Sequence, residues 1–194
     1  MQILRSLFLG IIAALLALIL EIIFSFTPGF SFKILFQQAS WILVAVVLIE
    51  ELFKLAFIWK NFSLNANVSS KLQIFFQSLF IGLGFAITEA TLKFFTLLPE
   101  EASNPNFYLP ILCTIVIHIG ISGLMGYFLV GAKKLNFWTF FQILLVSFGW
   151  HFLFNFFVIY SVSPWLISIF LVLLGFFVVL AGLRINASQK TYAQ

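Results

Sequence analysis

Charge is what this sequence has least of. Only 8% of its 194 residues are charged and 63% are apolar, where a soluble domain carries about 25% charged residues. Mean hydropathy is +1.17. That scarcity excludes a soluble domain, a disordered chain, a fibrous protein and an ordinary nucleic-acid binder. Cysteine is almost missing as well. Cys113 stands alone, so an intrachain disulfide is impossible, and its place inside a hydrophobic segment reads as small-residue packing. The five prolines avoid the middle of every hydrophobic segment. No tandem repeat is visible, and no H-E-x-x-H occurs, so the soluble zinc-protease motif is lacking.

What remains is hydrophobic segments and their punctuation. They run roughly over 7–26, 34–59, 72–98, 107–132, 138–160 and 164–183. At about 20 residues per span, this predicts an all-α bundle of six transmembrane helices forming a single integral-membrane domain over 1–194. The first segment starts like a signal peptide, but it is too long for an h-region and no A-x-A site follows. It is read as a retained span. Thr27-Pro28-Gly29, the polar stretch Asn61 to Lys71, Pro99 to Pro110, Lys133 to Asn136 and Ser161 to Pro164 separate the segments, and a polar tail runs from Arg184 to Gln194. Loops on the side of the N-terminus hold Arg5, Lys60, Lys71, Lys133, Lys134, Arg184 and Lys190. The other side holds Lys33 alone, with Glu100 and Glu101. This positive-inside asymmetry puts both termini in the cytoplasm. The net charge of +4 is the product of orientation rather than of an acidic partner.

Some ionisable residues stand where a membrane segment should have none. Glu50, Glu51 and Lys54 lie in the second segment, Glu89 and Lys93 in the third, His118 in the fourth and His151 in the fifth. A charge at the centre of a membrane helix costs ~2.5–3.5 kcal/mol, so the five Glu and Lys positions would sum to about 12 kcal/mol if central and unpaired. A structural ion-pair network is the plain reading, and a reactive site the functional one. Depth favours the site, because Glu50, Glu89, His118 and His151 all fall within about 10 Å of the midplane at 1.5 Å rise per residue. Helical spacing groups them further. Glu50 and Lys54 are i,i+4, and Glu51 and Lys54 are i,i+3. Ser78, Gly82, Phe85, Glu89 and Lys93 form one stripe, His118, Ser122 and Gly126 a second, and Ser147, His151 and Asn155 a third. Lys54 and Lys93 read as partners of carboxylates, Ser122 as a packing residue and Glu21 as interfacial.

Carboxylates and imidazoles around one pocket can activate water. A Glu in a poorly solvated site serves as general base, and a His or Asn can stabilise the oxyanion that forms when water adds to an amide carbonyl. Two Glu and two His also suit a zinc ion with an open position. Glutamate-type and metal-assisted hydrolysis are both compatible with these residue types.

Taken in order, Glu50-Glu51-Leu52-Phe53-Lys54, then Gly82 to Glu89, then His118 through Gly126, then His151-Phe152-Leu153-Phe154-Asn155 resemble the PrsW family of intramembrane proteases. The pattern is E-E-x-x-K, a Gly-rich F-x-x-x-E, H with Gly eight residues on, and H-x-x-x-N/D. Ala86 stands where the family often has a second Glu, so only Glu89 carries over from that motif. The resemblance implies a protease of the bacterial cytoplasmic membrane that cleaves a membrane-anchored protein within the lipid bilayer. Glu50, Glu51, Glu89, His118, His151 and Asn155 would be catalytic and Lys54 supporting. The cofactor would be none or a zinc ion held by the Glu/His cluster, and nucleic acid no partner.

The CAAX-processing and bacteriocin-related branch of the same clan is the nearest alternative, but its E-E-x-x-x-R and F-x-x-x-H fit less well at Lys54 and Glu89. Gly120-Ile121-Ser122-Gly123 imitates a rhomboid motif, yet that reading leaves the glutamates without a role. A proton-coupled transporter also places Glu, Lys and His at the midplane, and a non-proteolytic scaffold descended from the protease fold is a further reading. Orientation is directly checkable. In a Cys113→Ser background, cysteines introduced at positions 65 and 103 are expected to label from opposite sides of sealed vesicles, and same-side labelling would overturn the six-span arrangement.

Overall fold

A computed structural model describes residues 2–25, 41–65, 70–96, 108–132, 136–159 and 164–191. Among the described residues the chain is six α-helices without strands: α1 (Gln2–Ser25), α2 (Trp41–Asn65), α3 (Lys71–Thr96), α4 (Tyr108–Gly131), α5 (Phe137–Ile159) and α6 (Pro164–Thr191). The loops with Lys33, Glu100, Glu101, Lys133 and Lys134, the turn before Pro164 and the side chain of Lys93 lie outside the described residues.

Five helices, all but α2, are long and apolar enough to cross a membrane. Helix α2 has the length, at 25 residues, and carries Glu50, Glu51, Lys54 and Lys60. Glu50, Glu51 and Lys54 are buried inside the bundle and Lys60 is exposed near the helix end, so α2 is tolerated as a bundle member. Boundaries differ from the hydropathy reading mainly at the ends. Helix α2 runs to Asn65 rather than 59, and α6 continues to Thr191 through what reads as a polar tail. Helical hydrogen bonding continues into a polar segment when nothing breaks it, and neither Gly nor Pro stands between Arg184 and Thr191.

Caps mark the starts. Ser70 and Gln73 form a reciprocal capping box before α3, with Ser70 N–H donating to Gln73 Oε1 at 2.8 Å and Gln73 N–H to Ser70 Oγ at 3.2 Å. Asn136 Oδ1 accepts from Thr139 N–H at 2.9 Å to open α5. Proline opens α6, where its missing N–H costs nothing.

Helix α3 is the centre of the bundle, packed most extensively on α4 and on α1. Small residues permit this. A Cβ on Gly10 of α1 would meet Ile81 O of α3 at 2.0 Å, and one on Gly84 would meet Leu7 O at 2.1 Å. On the opposite side, a Cβ on Gly82 would lie 2.5 Å from His118 O, and one on Gly126 would lie 2.4 Å from Ser78 Oγ. Helix α3 is thus clamped between two backbones, the close approach expected of small residues in membrane bundles. Near the N-terminal ends of α1 and α3, Asn61 donates to Gln77 Oε1 at 2.7 Å and Gln77 to Gln2 Oε1 at 2.9 Å, joining α2, α3 and α1 through buried amides.

The main core lies between α2, α3, α4, α5 and α6 around Leu55, Ile81, Ile117, Ile121, Met125, Phe154 and Leu174. Outward faces carry exposed apolar side chains such as Ile23, Phe137, Trp165 and Val172, as a surface in contact with lipid should.

The glycine contacts make opposite predictions at different sites. Gly84→Val is expected to destabilise the bundle by about 1–3 kcal/mol through overpacking. Gly175→Ala, whose added Cβ meets nothing within 4 Å, should be neutral or slightly stabilising. Thermal unfolding in detergent checks both.

Candidate active site

Helices α2, α3, α4 and α5 each bring their ionisable residues to one place. On α2, Glu51 and Lys54 face into the bundle and both side chains are fully buried. The Lys54 ammonium donates to Glu51 Oε1 and, across to α4, to His118 Nδ1 at 2.9 Å. It lies 5.0 Å from the centre of the Phe85 ring on α3, a cation–π contact. His118 also meets Glu89 of α3, between Nε2 and Oε2. From α5, His151 Nδ1 is 2.6 Å from Glu51 Oε1 and 3.5 Å from Glu50 Oε2. The two imidazoles stand edge to face, with ring centres 4.9 Å apart.

Hydrogen-bond roles follow from chemistry. A lysine ammonium only donates, so His118 Nδ1 accepts, and Nε2 carries the proton donated to Glu89. His151 donates from Nδ1 to the Glu51 carboxylate, which leaves its Nε2 with a lone pair. One unbroken chain therefore runs Glu89, His118, Lys54, Glu51, His151. It ties α3, α4, α2 and α5 together.

Accessibility divides the carboxylates. Glu51 is wholly enclosed, whereas the side chains of Glu50 and Glu89 retain 11% and 19% of their surface. Those two are the less enclosed carboxylates of the cluster, although Glu50 Oε2, the oxygen facing His151, is itself buried. Asn155 is half-buried one turn beyond His151 and takes no part in the cluster's hydrogen bonds. Ser122, one turn beyond His118, is fully buried beside Gly82, and its hydroxyl has no hydrogen-bond partner among the described residues. The structure thus brings Glu50, Glu51, Lys54, Glu89, His118 and His151 together and keeps Asn155 one turn away. Pairing by sequence spacing left Lys54 between Glu50 and Glu51. The structure pairs it with Glu51 and adds His118, 64 residues away. The supporting ring of Phe85 had a signal in the sequence, one turn before Glu89 on the same stripe, but no reason to be tied to Lys54.

The residues also fit a metal ion. Glu50, Glu51, His118 and His151 each offer a donor atom, all within 4.8 Å of one another, and two carboxylates with two imidazoles are donors that zinc accepts. Glu51 Oε2 is buried without a hydrogen bond among the described residues. Among the described side chains, three carboxylates against one ammonium leave two formal negative charges in a low-dielectric interior, which a divalent cation balances.

A family model described as PrsW family intramembrane metalloprotease matches residues 2–183. Comparisons with curated proteins and with solved structures return no match.

Breaking the central pair should be costly. Lys54→Met leaves a buried carboxylate without its counter-charge and is expected to cost about 3–5 kcal/mol. Adding Glu51→Gln should recover part of that loss, because the stranded charge is removed too. A double-mutant cycle by thermal unfolding in detergent measures the coupling, and strictly additive losses would show that the pair is not the unit described here.

Proposed function

Because the chain belongs to the PrsW family of intramembrane metalloproteases, we propose that its Glu/His cluster is the hydrolytic centre, cleaving a peptide bond of a membrane-anchored protein. The chain is an integral membrane protein and an intramembrane protease. Residue roles, substrate and the assignment to a bacterial cytoplasmic membrane are this proposal's own. The observation that carries it is the contrast between Glu51, locked by Lys54 and His151, and the partly accessible Glu50 and Glu89 at the edge of the same cluster.

In this reading Glu50 is the general base. A water between Glu50 and the substrate carbonyl gives its proton to a Glu50 carboxylate oxygen as its own oxygen adds to the carbonyl carbon. The proton then passes to the amide nitrogen as the C–N bond breaks, giving a carboxylic acid and an amine. Glu89, held by His118 Nε2–H, steers that proton. Asn155 stabilises the oxyanion through its amide N–H, and the Nε2 lone pair of His151 accepts from the attacking water and orients it. Glu51 and Lys54 position the two imidazoles instead of reacting. Glu51, His118 and His151 are the residues that would hold a metal ion in this reading, with Glu50 kept as the base. When bound, such an ion supplies Lewis acidity toward water and toward the peptide carbonyl. His118 would join the set only by releasing Lys54 or Glu89.

The accessible edge also bears on which bond is cut. Glu89 and Asn155 lie toward the C-terminal ends of α3 and α5, and His118 toward the start of α4. All three point to the side opposite the termini, so the scissile bond belongs in that half of the membrane.

With a tagged membrane substrate, Glu50→Gln is expected to lower cleavage by about 10²–10⁴, the range for a general base. Asn155→Ala should cost about 10²–10³ and leave weak activity. Chelation should abolish cleavage and zinc restore it. Full cleavage by the Glu50→Gln, Glu51→Gln double variant at normal protein level would end this assignment.

A further inference from the structure

The halves of α4, α5 and α6 that lie toward the termini frame a groove the hydrolytic cluster does not use. Its inner part, about 260 Å3, is walled by Leu124 and Phe128 of α4, Trp150 of α5 and Phe177 of α6, with Arg184 at one end. A second hollow of about 760 Å3 shares Tyr127, Phe128 and Val146 with the first and adds polar side chains, among them Gln142. The groove exists because α5 and α6 touch only sparsely, while each packs more fully on α4.

Depth gives the groove two chemically different ends. From Pro164 to Arg184 helix α6 rises about 30 Å at 1.5 Å per residue, the thickness of the bilayer's hydrocarbon core. Arg184 therefore stands at the level of lipid phosphates. Phe177, two turns earlier, and Trp150 lie at acyl-chain depth. Tyr127, near the end of α4, is placed where aromatic side chains favour the interface. Arg184 and Gln142 are both exposed and each lines one of the two hollows, which places N–H donors at the groove.

Charge narrows the occupant. Among the described residues no carboxylate lines either hollow. The acidic residues among the described ones, Glu21, Glu50, Glu51 and Glu89, lie near mid-depth or toward the opposite side. A zwitterionic headgroup would bring its own cation against Arg184. An anionic headgroup brings none, and basic pockets between transmembrane helices on the cytoplasmic side suit it.

We propose that this groove binds one anionic phospholipid of the cytoplasmic leaflet. Arg184 holds its phosphate, Gln142 donates to headgroup oxygens, and one acyl chain lies against Phe128, Trp150 and Phe177. The lipid fills the gap between α5 and α6, fastening α6 to the helix that carries His151. This site is independent of the hydrolytic reading, and its test needs no substrate.

The full-length protein is reconstituted in nanodiscs containing equal amounts of phosphatidylcholine and phosphatidylglycerol, and retained lipid is counted by native mass spectrometry. Wild type should keep one phosphatidylglycerol in preference to phosphatidylcholine. Arg184→Gln should lower that preference about fivefold, the equivalent of roughly 1 kcal/mol for one basic residue near an anionic surface. Val146→Trp, which fills the hollow and leaves Arg184 in place, should also lose the lipid. Arg5→Gln, on the same side but away from the groove, should retain it. Equal retention of the two lipids by wild type would overturn the proposal, as would undiminished preference in both Arg184→Gln and Val146→Trp.

Discussion

The rest of the structure depends on one buried ammonium group. Lys54 reaches Glu51 on its own helix and His118 on another while lying over the Phe85 ring of a third. A lysine enclosed in a membrane bundle is tolerable only if its donors are satisfied and its charge countered. Glu51 supplies the counter-charge and His118 an acceptor. Each of those then orders another group, Glu51 fixing His151 and His118 fixing Glu89. Four helices are registered against one another by this single chain of contacts.

The backbone must come close for that chain to close. Helix α3 makes the approach by presenting Gly84 to α1 and Gly82 to α4, with Gly10 and Gly126 answering from the partners. The clamp has a direct consequence for the site, because Gly82 lies against the carbonyl of His118 itself. The spacing of Glu89 from His118 is therefore set by backbone contact within two turns of both residues. Packing and chemistry are the same feature seen at two scales.

Enclosure also sorts three carboxylates into two kinds. Glu51 accepts both its hydrogen bonds through one oxygen, from Lys54 and His151. Glu50 and Glu89 keep part of their surface. A site that must hold imidazoles in place and still exchange protons with water needs both kinds, and adjacent residues on one helix provide them by facing different ways.

A great deal of this was legible in the sequence. The number of helices followed from hydrophobic length, and the unusual status of Glu50, Glu51, Lys54, Glu89, His118 and His151 from the cost of charge in lipid. Both are local properties, because a span is measured along its own chain and a charge is expensive wherever its helix packs. Helical periodicity likewise put Gly82 and Glu89, or His118 and Gly126, on common faces. What sequence spacing could not decide was which glutamate Lys54 would hold, since Glu50 and Glu51 differ by about 100° around the axis and both lie within reach of it. That choice depends on the rotation of α2 against α4 and α5, a relation between helices far apart in the chain. The same holds for the two nitrogens of His118, for the division of buried from accessible carboxylates, and for the groove between α5 and α6. Each arises where surfaces from separate helices meet, and only the tertiary structure brings those surfaces together.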